Sequence, residues 1–205
     1  KLDNKWTYWA DNGRKTQEIS YDKGIKHGPF LEWNVDNYKV TEGENNQGNK
    51  NNKWTLWYED GTLKQQENYS NGKKDGQWIW WRPDGVKDEE GSYRDDVKHG
   101  IWTQWNNADH KKLEETFVNG VIDGKITIWY DNGNKDREGV IRKNEKEGIW
   151  NYFHPNGETD FIFDYGTGLD QVRIAELEER DGIFYKIGQH KSYTGMVIET
   201  GGIKD

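Results

Sequence analysis

Residues Gly76 to His99 read GQWIWWRPDGVKDEEGSYRDDVKH, and the same pattern recurs 24 residues to either side. Gly28, Asn52, Gly76, Gly100, Gly124 and Gly148 open successive units, and Asn4 opens one more upstream, so seven units follow one another without a slip. A strict period of this length marks an array of small supersecondary units, none of which can bury its apolar face alone.

Reading the units in columns exposes their construction. Three residues into each unit stand Trp6, Phe30, Trp54, Trp78, Trp102, Ile126 and Trp150, and three further on stand Trp9, Trp33, Trp57, Trp81, Trp105, Trp129 and Phe153. A turn column follows: Asn12-Gly13, Asp36-Asn37, Asp60-Gly61, Asp84-Gly85, Asn132-Gly133 and Asn156-Gly157. Asn-Gly and Asp-Gly accept positive φ at both central positions, so these read as tight hairpin turns. Ala108 to Lys111 in the fifth unit reads as a longer turn. A second extended segment then ends in Tyr21, Tyr69, Tyr93, Phe117 or Tyr165, with Ile141 in the sixth unit and Asn45 breaking the column in the second. A looser Gly-containing turn, such as Asn71 to Gly76, closes the unit. Glycine recurs too often for helix.

The fold class expected is therefore all-β: an elongated, twisted, single-layer antiparallel β-meander of seven 24-residue hairpins over residues 4–165. Residues three apart point to opposite faces of a regular strand. Either the two Trp columns are buried on different faces, or a bulge between them turns both inward. The second is expected, with each Trp stacked on its counterpart in the next unit. The second unit, VDNYKVTEGENNQGNKNN, lacks an apolar second strand and reads as a loose hairpin or bend. After Tyr165 aliphatic residues replace Trp. Residues 166–205 read as a C-terminal β cap or the start of a second array, with Gln171–Arg180 a short helix or, in preference, a strand, and strands over Gly182–Ile187 and Gly195–Glu199.

Composition narrows the function classes. The chain is very polar, yet it carries 12 Trp, 11 Tyr and 6 Phe, far more ring surface than a disordered segment uses. Its net charge of −8 disfavours nucleic acid and makes a basic protein the easier partner. Without cysteine there is no disulfide framework, thiolate metal site or Cys nucleophile. No apolar run is long enough to span a bilayer. The absence of an initial Met and of cysteine favours an exported or envelope location over the cytoplasm.

Units of the form GxWxxWyxdGxlkxexxYxnGkkd resemble the MORN-variant repeat of many bacterial proteins, and Asn52 to His99 match best. The resemblance runs from Asn4 to Tyr165, and Glu179 to Val197 is similar to the lead-in that opens such arrays. Some relatives are antitoxins of the YwqK type, and many are exported or lipid-anchored. The resemblance implies a β-meander scaffold for protein contacts and no catalytic residues. The chain has no cysteine to accept a lipid.

No chemistry-bearing constellation competes with that reading. His27 and His99 share a column three units apart, about 30 Å by strand spacing, and cannot share a metal ion. HExxH, EF-hand, GxSxG and phosphate-loop patterns are missing, so no catalytic, metal or cofactor residue is assigned. Glu18, Glu42, Glu90, Glu114 and Glu138 fall in one column. Exposed in register, they would form a line of negative charge able to steer a basic partner. One column differs in kind from unit to unit: Tyr8, Glu32, Leu56, Trp80, Gln104, Ile128 and Tyr152. It either writes specificity or simply faces water. The Trp columns read as packing, and their alternative use is as a stacking platform for carbohydrate. The function expected is a non-enzymatic scaffold binding another protein, as an antitoxin or a subunit of an envelope complex. The alternative is carbohydrate or cell-wall binding through exposed aromatics.

Overall fold

A computed structural model describes residues 4–166, 177–180 and 183–186. Every described regular element is a strand, and within each unit described below consecutive strands pair antiparallel, as a meander requires, with β6 pairing both β7 and β8. By internal packing the chain forms two units, Lys1–Asp109 and His110–Asp205.

The first unit holds β1 (Asn4–Trp9), β2 (Lys15–Asp22), β3 (Ile25–Trp33), β4 (Lys39–Asn46), β5 (Asn49–Trp57) and β6 (Leu63–Ser70). It continues with β7 (Lys73–Lys74), β8 (Gly76–Trp81), β9 (Lys87–Arg94) and β10 (Val97–Trp105). The second holds β11 (Lys111–Val118), β12 (Val121–Trp129), β13 (Lys135–Arg142), β14 (Glu145–Phe153) and β15 (Thr159–Asp164), with a separate hairpin of β16 (Leu177–Arg180) and β17 (Ile183–Lys186). The strands expected over Gln171–Arg180 and Gly182–Ile187 meet this hairpin in part. Gly195–Glu199 lies outside the described residues.

The two kinds of turn are the reverse of the sequence expectation. The turn taken as loose is the tight one. Lys23-Gly24, Gln47-Gly48, Asn71-Gly72, Asp95-Asp96, Asn119-Gly120 and Lys143-Asn144 have positive φ at both residues, the geometry of a two-residue type I′ hairpin. The Asn-Gly and Asp-Gly turns have positive φ at the second residue only. There Gly85 N–H donates to Arg82 O at 2.9 Å and Arg82 N–H to Val86 O at 2.9 Å, a type I turn closed by a left-handed residue. The Asp or Asn before that residue binds the chain two residues on, as Asp84 Oδ1 does with Val86 N–H at 3.0 Å. The fifth unit makes the same turn at the same length, with Asp109 left-handed at φ 60°.

Bulges set the register. Beyond each type I′ turn the outgoing strand carries two extra residues, as where His99 faces Ser92 but Thr103 faces Glu90. The residue that opens each unit, Gly28, Asn52, Gly76, Gly100, Gly124 or Gly148, sits in this bulge with positive φ. Glycine therefore recurs there because the bulge needs a left-handed residue. The second repeat is a full hairpin of β3 and β4, and β4 also pairs with β5, so it is not a loose bend. Its ladder uses backbone groups that Asn and Gly supply as well as any residue.

Candidate functional site

In each unit, one face of the strands carries the first aromatic column. Trp54, Trp78, Trp102 and Trp150 are 4%, 2%, 2% and 1% exposed, and Ile126 is also buried. Each of those four indoles donates its Nε1–H to the carbonyl ten residues earlier on the preceding strand, at 3.0–3.2 Å: Glu44, Asn68, Ser92 and Val140. Indole and backbone thus satisfy one another beside the bulge. Three of the rings lie over a glycine. A Cβ on Gly43, Gly91 or Gly139 would meet the indole of Trp54, Trp102 or Trp150 within 2.4 Å.

Counterpart rings meet directly in one place and are bridged in another. Phe30 and Trp54 touch directly at 5.3 Å between centroids. Trp78 and Trp102 are bridged edge-on by Tyr93 at 5.3 and 5.0 Å, and by Trp80 at 5.6 and 5.9 Å. Trp80 is therefore half-buried within the ring cluster. Lysines cover the rings: Lys50 lies over Trp54 and Tyr69, Lys74 over Trp78 and Tyr93, and Lys146 over Trp150 and Tyr165, all within 5 Å. Exposed cation–π contacts of this kind are worth about 0.5–1 kcal/mol each. In the sixth unit Trp, Lys and Tyr are replaced together by Ile126, Ile122 and Ile141, which pack as an apolar cluster with Trp150. Without a ring, a cation there has nothing to cover.

A buried carboxylate belongs to this face and escaped the sequence reading. Glu67 is 7% exposed and accepts from Lys50 Nζ at 3.2 Å, Tyr69 Oη at 2.9 Å and Gln65 Nε2 at 2.9 Å. Burial, and then the Glu67 carboxylate, push the Tyr69 phenol far above its ordinary range. The column it occupies (Ile19, Gly43, Glu67, Gly91, Glu115, Gly139, Phe163) has no repeating character that could have revealed it. Asn45, in the tyrosine column, is 5% exposed, and its Nδ2 has no hydrogen-bond partner.

The second aromatic column looks the other way. A register slip does fall between the columns, but the extra residue is on the return strand: Trp80 faces Glu89 and Trp81 faces Lys87, leaving Asp88 over. Trp78 and Trp81 thus keep the opposite orientations of a regular strand. Trp33, Trp57, Trp81, Trp105, Trp129 and Phe153 are half-buried. Trp6 and Trp9 on β1 are exposed, at 45% and 62%. Among the described residues β1 has a strand on one side only, so its rings lack the preceding hairpin that covers the others.

On this second face the glutamate column is no bare acidic line. Glu18, Glu42, Glu90, Glu114 and Glu138 accept from Lys15, Lys39, Lys87, Lys111 and Lys135 at 2.6–3.0 Å. Four of those lysines lie over the next unit's ring: Lys15 on Trp33, Lys39 on Trp57, Lys87 on Trp105 and Lys111 on Trp129. Hydrogen bonds from Lys15 and Lys5 hold the Glu18 carboxyl below its ordinary pKa. For Glu138 burial pulls upward, but Lys125 and Lys135 outweigh it and the net shift is down. In the third unit Leu63 and Gln66 replace lysine and glutamate together, so the pair comes and goes as one.

The variable column lies beside the buried rings on the first face. Its members meet equally variable partners across the hairpins: Glu32 accepts from Gln17 at 2.8 Å and Thr41 at 3.0 Å, and Gln104 donates to Glu89 at 3.1 Å. Leu56 is half-buried, and Tyr8 is 40% exposed. In the unit His110–Asp205, Ile128 and Tyr152 pack against the Ile126, Ile141 and Trp150 cluster. Tyr152 and Tyr165 hydrogen-bond each other and Lys146 at 3.0–3.1 Å. Burial pulls the Tyr165 phenol upward, but the Lys146 hydrogen bond carries it below its ordinary value. Near the type I turns, an open depression of about 670 Å³ is lined by Val40, Trp57, Tyr58 and Pro83 with Asn34, Glu59, Asp60 and Lys64.

The histidines stay apart. His110 Nδ1 lies 2.9 Å from Asp131 O, and His154 Nε2 lies 3.2 Å from Asp160. His190 is outside the described residues, among which no cluster of three metal-ligating side chains exists. No described helix is long and apolar enough to cross a membrane.

Comparison with curated proteins found no match. Residues 50–71, which span most of β5 and β6 and include Trp54, Glu67 and Tyr69, match the family model described as MORN repeat variant.

Proposed function

We propose that the chain is a non-enzymatic scaffold that binds another protein through the first face of its hairpins. The carrying observation is the variable column. The rings, turns and bulges repeat, while Tyr8, Glu32, Leu56, Trp80 and Gln104 differ in kind and fall in one row, alternating with residues of the return strands. A regular frame with one irregular row can specify a partner without altering the fold. The paired Lys–Glu ladder of the other face has little net charge to steer a basic protein, so recognition is assigned to the irregular row. Toxin neutralisation and a subunit role in an envelope complex are the two settings that fit this reading.

The test is affinity capture from the source cells with the wild type and a Leu56→Asp, Gln104→Ala double variant. One stoichiometric partner is expected with the wild type and at least tenfold less with the variant, at a similar melting temperature. Capture that is equal for both, or absent for both, contradicts the reading.

The depression beside Trp57 and Tyr58 supports a second reading, carbohydrate binding, since flat rings flanked by carboxylates and an amide suit a sugar. Saturable quenching of Trp emission by soluble glycans, lost in Trp57→Ala, would favour it over protein binding.

A further inference from the structure

The repeat supplies its own comparison. In the third hairpin, β5–β6, Lys50 and Tyr69 share the buried carboxylate of Glu67. Four units on, Lys146 and Tyr165 hold the same places in the seventh hairpin, β14–β15, but Phe163 stands where Glu67 was: Trp54 faces Glu67, and Trp150 faces Phe163. The two donors remain, and Phe163 takes the place of their acceptor.

What they do instead is visible. Lys146 Nζ binds the phenol oxygens of Tyr165 at 3.0 Å and Tyr152 at 3.1 Å, and the two phenols lie 3.1 Å apart. An ammonium has three N–H donors, and each phenol has one O–H. Where Tyr152 donates to Tyr165, the hydrogen bonds among the described residues leave the Tyr165 O–H and one Lys146 N–H for a further acceptor. Those are the two donors that Lys50 and Tyr69 present to Glu67. Among the described residues no carboxylate pairs with Lys146. Arg137 lies opposite Tyr152 in register, with its guanidinium 3.5 Å from the Asp136 carboxylate. Tyr165 is 38% exposed, so the cluster opens to solvent.

We propose that Lys146 and Tyr165, supported by Tyr152, form a binding site for a carboxylate from outside the chain, in place of the one Glu67 supplies from within. The source of that carboxylate rests on the scaffold reading: it is an Asp or Glu side chain of the bound protein. A charge-assisted pair of this kind fixes register as well as adding affinity. The site gives a protein of net negative charge a place to hold an acidic partner residue.

The test uses the intact chain and sodium acetate, with sodium chloride as the control for ionic strength. Side-chain NMR follows the Lys146 methylene and Tyr165 ring signals. Saturable shifts with acetate but not chloride are expected, weakened at least tenfold in Lys146→Met. Phe163→Glu, which restores the internal carboxylate, is expected to abolish them. Tyr165→Phe keeps the ring against Trp150 and Phe163 and is expected to weaken binding several-fold at unchanged melting temperature, so a fold failure of Phe163→Glu leaves the test intact. The proposal is overturned if acetate does not saturate, if Lys146→Met binds as well as the wild type, or if inorganic phosphate saturates where acetate does not. None of these outcomes touches partner capture through Leu56 and Gln104, so the scaffold reading stands or falls separately.

Discussion

Gly91 shows how single residues fix this fold. Its backbone is not in the left-handed region, so an alanine would be free to adopt the same conformation. What excludes a side chain is Trp102, whose Cδ2 would lie 2.1 Å from a Cβ at that position. Gly91→Ala is therefore expected to destabilise the protein by about 1–3 kcal/mol through overpacking. Chemical denaturation would measure it, and an unchanged midpoint would mean the indole does not rest on the strand. The sequence displays the tryptophans but not their seats, because the seat alternates among glycine, glutamate and apolar residues. Glu67 was illegible for the same reason. A carboxylate in a core column is tolerable only because Lys50, Tyr69 and Gln65 converge on it, and they lie in three different columns.

At the scale of the element, the hairpin is held by turns, bulges and the Lys–Glu pairs of its second face. Glu138 accepts from Lys125 and Lys135, each at 3.0 Å, and its folded pKa lies below the ordinary carboxylate value. A depressed carboxylate contributes stability that is present above its unfolded pKa and lost as pH falls through its folded one. Glu138→Gln is thus expected to cost about 0.5–1 kcal/mol at neutral pH. The difference from wild type should close as pH is lowered from about 5 toward 3. Urea denaturation across that range would check it, and a gap independent of pH would rule out the ion pairs as its cause. Hairpins and their boundaries were legible from the period alone. Turn types were exchanged because Asn-Gly suits both a type I′ turn and the last two positions of a type I turn closed by a left-handed glycine. Only the φ of the Asn separates these. The glycine opening each unit looked like turn and is bulge, because both need positive φ.

For the molecule as a whole, the sequence sorted its residues into a fixed frame and a free row, and within each unit that row lies beside the first aromatic column. It could not show that the two Trp columns part company. That depends on which strand carries the extra residue, and Asp88 is spaced in sequence like any other. Nor could it show that the glutamate column is neutralised, because the lysine three residues earlier reaches it only across the bulge. The claim on which the rest depends is that one indole column is interior and the other only half-buried, open at Trp9. Hydrogen exchange of the Trp indole Nε1–H groups tests it most directly, by NMR on the folded protein. Slow exchange is expected for Trp54, Trp78, Trp102 and Trp150, whose N–H groups are bonded to bulge carbonyls, and fast exchange for Trp9. Fast exchange at all five would contradict the account.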